Sequence, residues 1–470
     1  MIRKIILIYL LIVSSIHAQI NFQFSTKDGI PPDIPVPQIK YTKSPTDGYI
    51  FATVPYWGKG NNYLVIYDNN GKPVYYRKTK STCTDFKINS NGLITYYDYG
   101  TNKFYSMDST MTVVDSFFVK NGAITDEHDI KFLKNGNVLL IGLDYKLVDM
   151  SSLVNGGSKN ASVVVNVIQE IDKNKDVVFE WKAYENYKYT DAAPYVNLSD
   201  QAFVHSHINS IDLDKNENLI ISTRNLDEIT KIDRKTGKII WRFGGKNNQF
   251  NIMNDSVKFS AQHSVTVLAN GNLLVYDNGT YNSPPIARAI EYKLDEDAKS
   301  ATVVWKYSNV PYVQSKFWGN AQRLSNGNTF IAWGMSSLAV TEVNSNGEKT
   351  FEMEFPADVY SYRLYRYSPK YRITSTETMI GIPGEYNLCQ NYPNPFNPET
   401  NIEFSLVKQA RVKLEVYNIL AQKVATLSNG IFNAGTHLVK FNAANLSPGV
   451  YFYKITADEY ESVKKMLLLK

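Results

Sequence analysis

Six histidines in a chain of 470 residues narrow the search for chemistry. His17 lies in an N-terminal apolar run and His437 near the C-terminus, which leaves His128, His205, His207 and His263. An imidazole with its ordinary pKa of about 6.5 can serve near neutral pH as nucleophile, acid or base. The local settings are polar. His128 sits in Asp126-Glu-His-Asp-Ile130, just before a strand-like run; His263 follows Gln262 and precedes Val265, Val267 and Leu268. In His205-Ser-His-Ile-Asn209 a continuous strand would project both histidines and Asn209 from one face and Ile208 from the other. Arg224 ends the run Leu219 to Thr223, immediately after the next hairpin. A single histidine is more often a satisfied structural side chain than a catalyst, so the elements that carry these residues decide what they mean.

Those elements read as strands. Thirty-three Tyr and 22 Phe against 9 Met favour sheet, since aromatic side chains fit a pleated surface. From about Tyr49 to Tyr367, short β-type runs alternate with turn dipeptides. Asn91-Gly92, Asn135-Gly136, Asn270-Gly271 and Asn326-Gly327 each precede an apolar run, and Asn-Gly supplies the positive φ angles of a tight hairpin turn. A second recurring element is a strand bearing Trp: Val177 to Lys182, Lys238 to Phe243 and Thr302 to Tyr307. Equivalent elements recur on the order of every fifty residues, which predicts four-stranded propeller blades, roughly six in the available length. No stretch between the turns has a sustained helical period, which disfavours an α/β fold. In a propeller the innermost strands line the central channel, so polar residues at equivalent places in successive blades converge there.

Several classes of function are disfavoured. A net charge of +5 with no basic run gives nucleic-acid binding no electrostatic support. Gly244-Gly245-Lys246 follows a Trp strand and opens no helix, so it reads as a blade turn and not a phosphate cradle. His205-x-His207 and Asp126/His128/Asp129 could ligate a cation, but no Cys/His cluster has zinc-like spacing, and neither metal nor cofactor is expected. Cys83 and Cys389 fall in different predicted domains and read as separate thiols.

Residues 1–18 read as a secretory signal: Arg3 and Lys4, then the apolar run Ile5 to Ile16, too short to span a bilayer, then Ala18 before Gln19. No later segment is apolar enough to cross a membrane, so a soluble protein outside the cytoplasm is expected. Residues 19–48, proline-rich from Ile30, form an extended lead-in to a propeller at 49–378. Gly381-Ile-Pro-Gly384 marks a linker over 379–385. Residues 386–470 then form a small C-terminal β-sandwich, with strands at Asn401 to Leu406, Val412 to Tyr417 and Val450 to Thr456.

That tail, with "NYPNPFNP", "VKLEVYNILAQKVATL", "FNAANLSPGVYFYKI" and the basic end "KKMLLLK", resembles the type IX secretion sorting domain. The resemblance implies partnership with the type IX machinery and release or attachment at the cell surface. The runs "DEHDIKFLKNGNVLLIG", "HINSIDLDKNENLIISTRN" and "FSAQHSVTVLANGNLLVYDNG" resemble the bacterial arylsulfate sulfotransferase family over about Pro45 to Trp333. Such proteins are six-bladed propellers that pass a sulfuryl group from an aryl sulfate to a phenol without a nucleotide sulfate donor. The resemblance makes His263 the transiently sulfated residue, His128 and His207 its catalytic partners, Arg224 the sulfuryl binder and Asn209 a pocket residue. His205 departs from the family pattern and is left to packing. Sulfuryl transfer should resemble phosphoryl transfer, with charge spread over non-bridging oxygens that a guanidinium fork can hold. Two other readings stay open: a non-catalytic propeller that binds a ligand or surface partner, and hydrolysis with water as acceptor.

Overall fold

The computed structural model describes residues 30–55, 61–368, 386–391, 394–407, 409–432 and 435–469. The expected signal segment and the Gly381–Gly384 linker lie outside them. The described residues fall into two compact units, 30–368 and 386–469.

The first unit is a succession of sheets that are antiparallel except for two short parallel additions, Ala202–Val204 and Asn251–Met253. The first sheet holds Tyr49–Val54, Asn62–Tyr67 and Pro73–Thr79, and the five that follow begin with Cys83–Ile88, Ile124–Phe132, Ile208–Leu213, His263–Val267 and Asn320–Arg323. Each of these leading strands packs against the next, Tyr49–Val54 against Cys83–Ile88 and so on round to Asn320–Arg323. The cycle closes because Tyr365–Tyr367, from the far end of the unit, pairs antiparallel with Tyr49–Phe51. Residues from near both ends of the unit thus share one sheet, with Tyr365–Tyr367 as its inner edge strand.

Strand alternation builds the core between sheets. In Leu219–Thr223, Leu219 and Ile221 pack toward the third sheet with Leu139, Ile141 and Ile168. Ile220 faces the fifth sheet with Val265, Val275 and Ile290. One sheet later the pattern repeats: Leu273 and Val275 face back, Leu274 and Tyr276 face forward toward Ile331 and Trp333. Both faces of these sheets are buried, and each fully buried aliphatic side chain contributes about 1.5–3 kcal/mol. The Trp-bearing runs are the fourth strands of the third, fourth and fifth sheets: Val177–Lys182, Ile239–Gly244 and Ser300–Tyr307.

The Asn-Gly pairs do join first and second strands, but only the glycine takes a positive φ, 83° at Gly92, 86° at Gly136, 85° at Gly271 and 89° at Gly327. Gly136 N–H donates to Leu133 O, and Leu133 N–H to Asn137 O, which makes a type I turn closed by a left-handed residue. The asparagine serves as an acceptor: Asn135 Oδ1 takes the Asn137 N–H at 3.0 Å, and Asn270 Oδ1 that of Asn272. The lead-in is also more structured than expected. Gln38–Thr42 forms the outer strand of the sixth sheet against Lys349–Glu354, covering an edge that would otherwise be exposed.

The second unit has two sheets. One holds Asn387–Leu388, Glu399–Leu406 and Gly435–Asn442; the other orders Lys423–Phe432, Ala410–Asn418, Gly449–Ala457 and Tyr460–Leu468. Ile402 and Phe404 of one share a single core with Val412, Leu414, Tyr453 and Met466 of the other. Among the described residues the only α-helix is Ala183–Asn186, and no helix is long and apolar enough to cross a membrane.

Candidate active site

Irregularities in the leading strands aim side chains at the middle of the ring. Pairing with the second strand slips between Thr84 and Lys87, between Ile208 and Ser210, and between His263 and Val265; opposite Leu140/Gly142 the slip falls over Asp126–Asp129. A bulge of this kind bends the strand and re-aims one residue. Asp85, His207 and Ser264 take left-handed φ values of 50°, 54° and 52°. Such non-glycine conformations cost about 1–3 kcal/mol each and persist where surrounding packing fixes them.

The slips bring three predicted histidines together. One ring nitrogen each of His128, His207 and His263 lies within 4.8 Å of the others. Ring centres are 4.9 Å apart for His128 and His207, and 6.2 Å for His207 and His263. His128 lies within its strand, not ahead of it. Asp126 Oδ1 accepts both the His128 backbone N–H, at 2.9 Å, and the Nδ1 side of the ring. Burial alone would favour a neutral His128, but the carboxylates of Asp126 and Glu127 outweigh it and push the pKa up to about 9. His263 has the opposite setting. Its Nδ1 is 2.8 Å from Asn278 Oδ1, and the Trp318 N–H approaches Nε2 at 3.3 Å. Burial, then the positive charge of Arg224, hold its pKa well below the usual value. His207 is likewise held neutral by burial and then by His128 and Arg224.

Arg224 opens the 3-10 turn Arg224–Leu226 that follows Leu219–Thr223, and its backbone N–H donates to His207 O at 3.0 Å. Its Nη1 donates to Asn225 Oδ1 at 2.8 Å, and its guanidinium lies 5.2 Å from the Phe317 ring and 6.0 Å from that of Tyr195. The buried Nε has no partner, and neither has the buried Oδ1 of Asn209, whose Nδ2 donates to Gln262 O at 2.8 Å. An arginine with an idle buried donor, bonded to the His207 backbone, is a group that suits an oxyanion. Three imidazoles could also hold a metal ion, but these cationic neighbours oppose one.

His205 does not share a face with His207. The strand starts only at Ile208, and the left-handed turn at His207 breaks the alternation. The His205 ring packs on Tyr189, its Nε2 sits 3.1 Å from Lys188 O, and burial lowers its pKa to about 4. Cys83 and Cys389 are both free and lie in different units.

Sequence reasoning missed three neighbours of the site. Arg363 donates from Nη1 to His128 O at 3.0 Å and from Nη2 to Asn209 O at 2.6 Å, tying two site strands together. The Tyr362 ring is 5.7 Å from His128, and Asn278 fixes His263. Arg363 lies just before the closing strand Tyr365–Tyr367, far along the chain from its partners, so only ring closure reveals it. Asn278 stood in view in the run "VYDNG" but carried no signal that its amide faces a histidine.

Fold and site together define an all-β succession of sheets whose inner strands gather three histidines, Arg224 and Arg363. The chain belongs to the arylsulfotransferase (ASST) family, whose match spans residues 37–366 and so reaches beyond both ends of the stretch that resembled it. Residues 390–469 match the secretion system C-terminal sorting domain. No curated protein matches the chain. Among solved structures it is similar to a protein of unknown function from Bacteroides caccae, at 12% identity and TM-score 0.45, covering 68% of this chain and 99% of that one. It is also similar to virginiamycin B lyase from Staphylococcus aureus (11%, 0.38, covering 67% and 87%). A third likeness is to the β-propeller domain of Cps50 (Swd1) from Myceliophteria thermophila (13%, 0.37, covering 68% and 90%). Family membership supports aryl sulfotransferase function in general, and the sorting domain supports secretion to the cell surface or beyond.

Proposed function

We propose that the protein is an exported aryl sulfotransferase that carries a sulfuryl group from an aryl sulfate to a phenol on His263, with no nucleotide sulfate donor. The six sheets of residues 49–378 act as six propeller blades around the site, and 386–470 is a β-sandwich read by the type IX machinery. The observation that carries the chemistry is the convergence of His128, His207 and His263, one ring nitrogen of each within 4.8 Å of the others, with carboxylates raising the pKa of His128 and burial lowering that of His263.

In the first half-reaction Nε2 of His263 attacks sulfur in line with the aryl oxygen. The S–N bond forms as the S–O bond to the aryl group breaks. Arg224 holds non-bridging oxygens with its fork, and Asn209 and His207 line the same pocket. His128, with a pKa of about 9, gives its proton to the leaving phenolate, whose own pKa is about 10. The phenol departs and an acceptor phenol enters. Neutral His128 then takes the acceptor's proton while sulfur passes from nitrogen to oxygen.

Purified mature protein should release phenol from an aryl sulfate and transfer the sulfuryl group to an added phenol, with ping-pong kinetics. His263→Asn should lose at least about a thousandfold in phenol release. Unchanged release by that variant would contradict the nucleophile assignment. No release by wild type would favour a binding propeller, and sulfate release that phenols do not divert would favour water as acceptor.

A further inference from the structure

We propose that Asn278 is a positioning residue that holds the His263 proton on Nδ1 through the whole reaction, so that Nε2 is the nucleophile. This rests on His263 being the sulfuryl carrier. The amide orientation is fixed independently of the histidine. Asn278 Nδ2 donates to Ser315 O and to Trp318 O, both at 3.1 Å, so both amide hydrogens are occupied. Oδ1 must therefore face His263 Nδ1, 2.8 Å away, and an acceptor there requires Nδ1 to carry the proton. A second contact agrees on the tautomer: the Trp318 backbone N–H approaches Nε2 at 3.3 Å, which can accept it only as a bare lone pair, and this long contact breaks when that lone pair turns to sulfur. Next to Trp318, Gly319 has a φ of +95°, and a Cβ there would lie 2.3 Å from the Tyr276 ring, so this segment passes close against Tyr276.

The choice of a carboxamide has chemical consequences. When S–Nε2 forms and the aryl S–O bond breaks, His263 becomes an N-sulfoimidazolium, because Nδ1 keeps its proton and the departing oxygen takes its own from His128. In the second half-reaction the leaving group is then neutral imidazole, a far better one than imidazolate. A carboxylate at position 278 would draw that proton away and stabilise the covalent state. It would also favour a protonated, non-nucleophilic His263 at rest. Arg224, His128 and Arg363 lower the His263 pKa, the His207 ring also faces it, and the Asn278 bond acts in the opposite direction.

Two-bond proton–nitrogen NMR of histidine-labelled full-length protein at neutral pH, with no substrate, should show His263 as the Nδ1-protonated tautomer. Its signals are assigned by their loss in His263→Asn. An Nε2-protonated pattern would overturn the proposal while leaving the sulfohistidine reading intact. In Asn278→Asp the acid limb of the phenol-release profile should move up by about 1–3 pH units, and sulfated His263 should accumulate during turnover. A variant with lowered rate but an unmoved acid limb would reduce Asn278 to packing.

Discussion

The third and fifth sheets each deliver a histidine to the middle of the ring from the same place in their leading strand, His128 and His263, equally far ahead of Asn135 and Asn270. Backbone and burial are alike, yet the two imidazoles end at opposite ends of the protonation scale. His128 has two carboxylates beside it and is pushed up to about 9; burial and then Arg224 hold His263 well below its usual value, and its neutral amide partner does not offset them. The lesson is that the fold repeats the position while the partner decides the role. A carboxylate makes a proton donor of one ring, and a carboxamide keeps a lone pair on the other.

The largest effect that would sharpen this contrast is expected at Arg224, whose charge lowers the pKa of His263 and of His207. Arg224→Lys keeps the charge but loses the fork, and kcat/KM for aryl sulfate should fall about 10²–10³-fold. A loss of less than about fivefold would mean that the guanidinium does not hold the sulfuryl oxygens.

Asp126→Asn attacks the contrast directly by giving His128 the same kind of partner as His263. The alkaline limb of the donor half-reaction, near pH 9 in wild type, should move down by about 1–3 pH units. Linkage gives the same sign for stability. A folded pKa raised above the unfolded value of about 6.5 contributes stability that is complete below that value and is lost as pH rises through about 9. Thermal unfolding at pH 6 and pH 9.5 should therefore show a larger alkaline loss for wild type than for Asp126→Asn. Equal losses would mean that Asp126 does not set the His128 charge.

The smallest effect belongs to His205, a histidine that the fold turns away from the pocket. His205→Phe should leave kcat and KM within about twofold and cost about 1 kcal/mol for the lost bond to Lys188 O, read from denaturant unfolding. A tenfold loss of kcat with intact folding would place it in the chemistry after all.

How legible was this in the chain itself? The Asn-Gly turns and Trp strands mark first hairpins and fourth strands because short-range chemistry sets them. His128 and His263 each stand seven residues before the Asn of a turn, as Asn209 stands before Asn216, whereas His207 is picked out through the family resemblance. What could not be read is where each ring points. His207 takes a left-handed φ that breaks the strand rule, so the pairing expected for His205 and His207 failed. Partners brought by closure are equally silent in sequence. Arg363 reaches Asn209 from 154 residues away and His128 from 235, distances at which no local pattern carries information.

Brief exposure of the full protein to an aryl sulfate without acceptor, followed by quenching at alkaline pH and peptide mass mapping, tests the sulfuryl carrier itself. The peptide containing His263 should gain one SO₃ and lose it again when a phenol is added before quenching. A donor that turns over while that peptide stays unmodified, or a label found on another residue, would contradict the account.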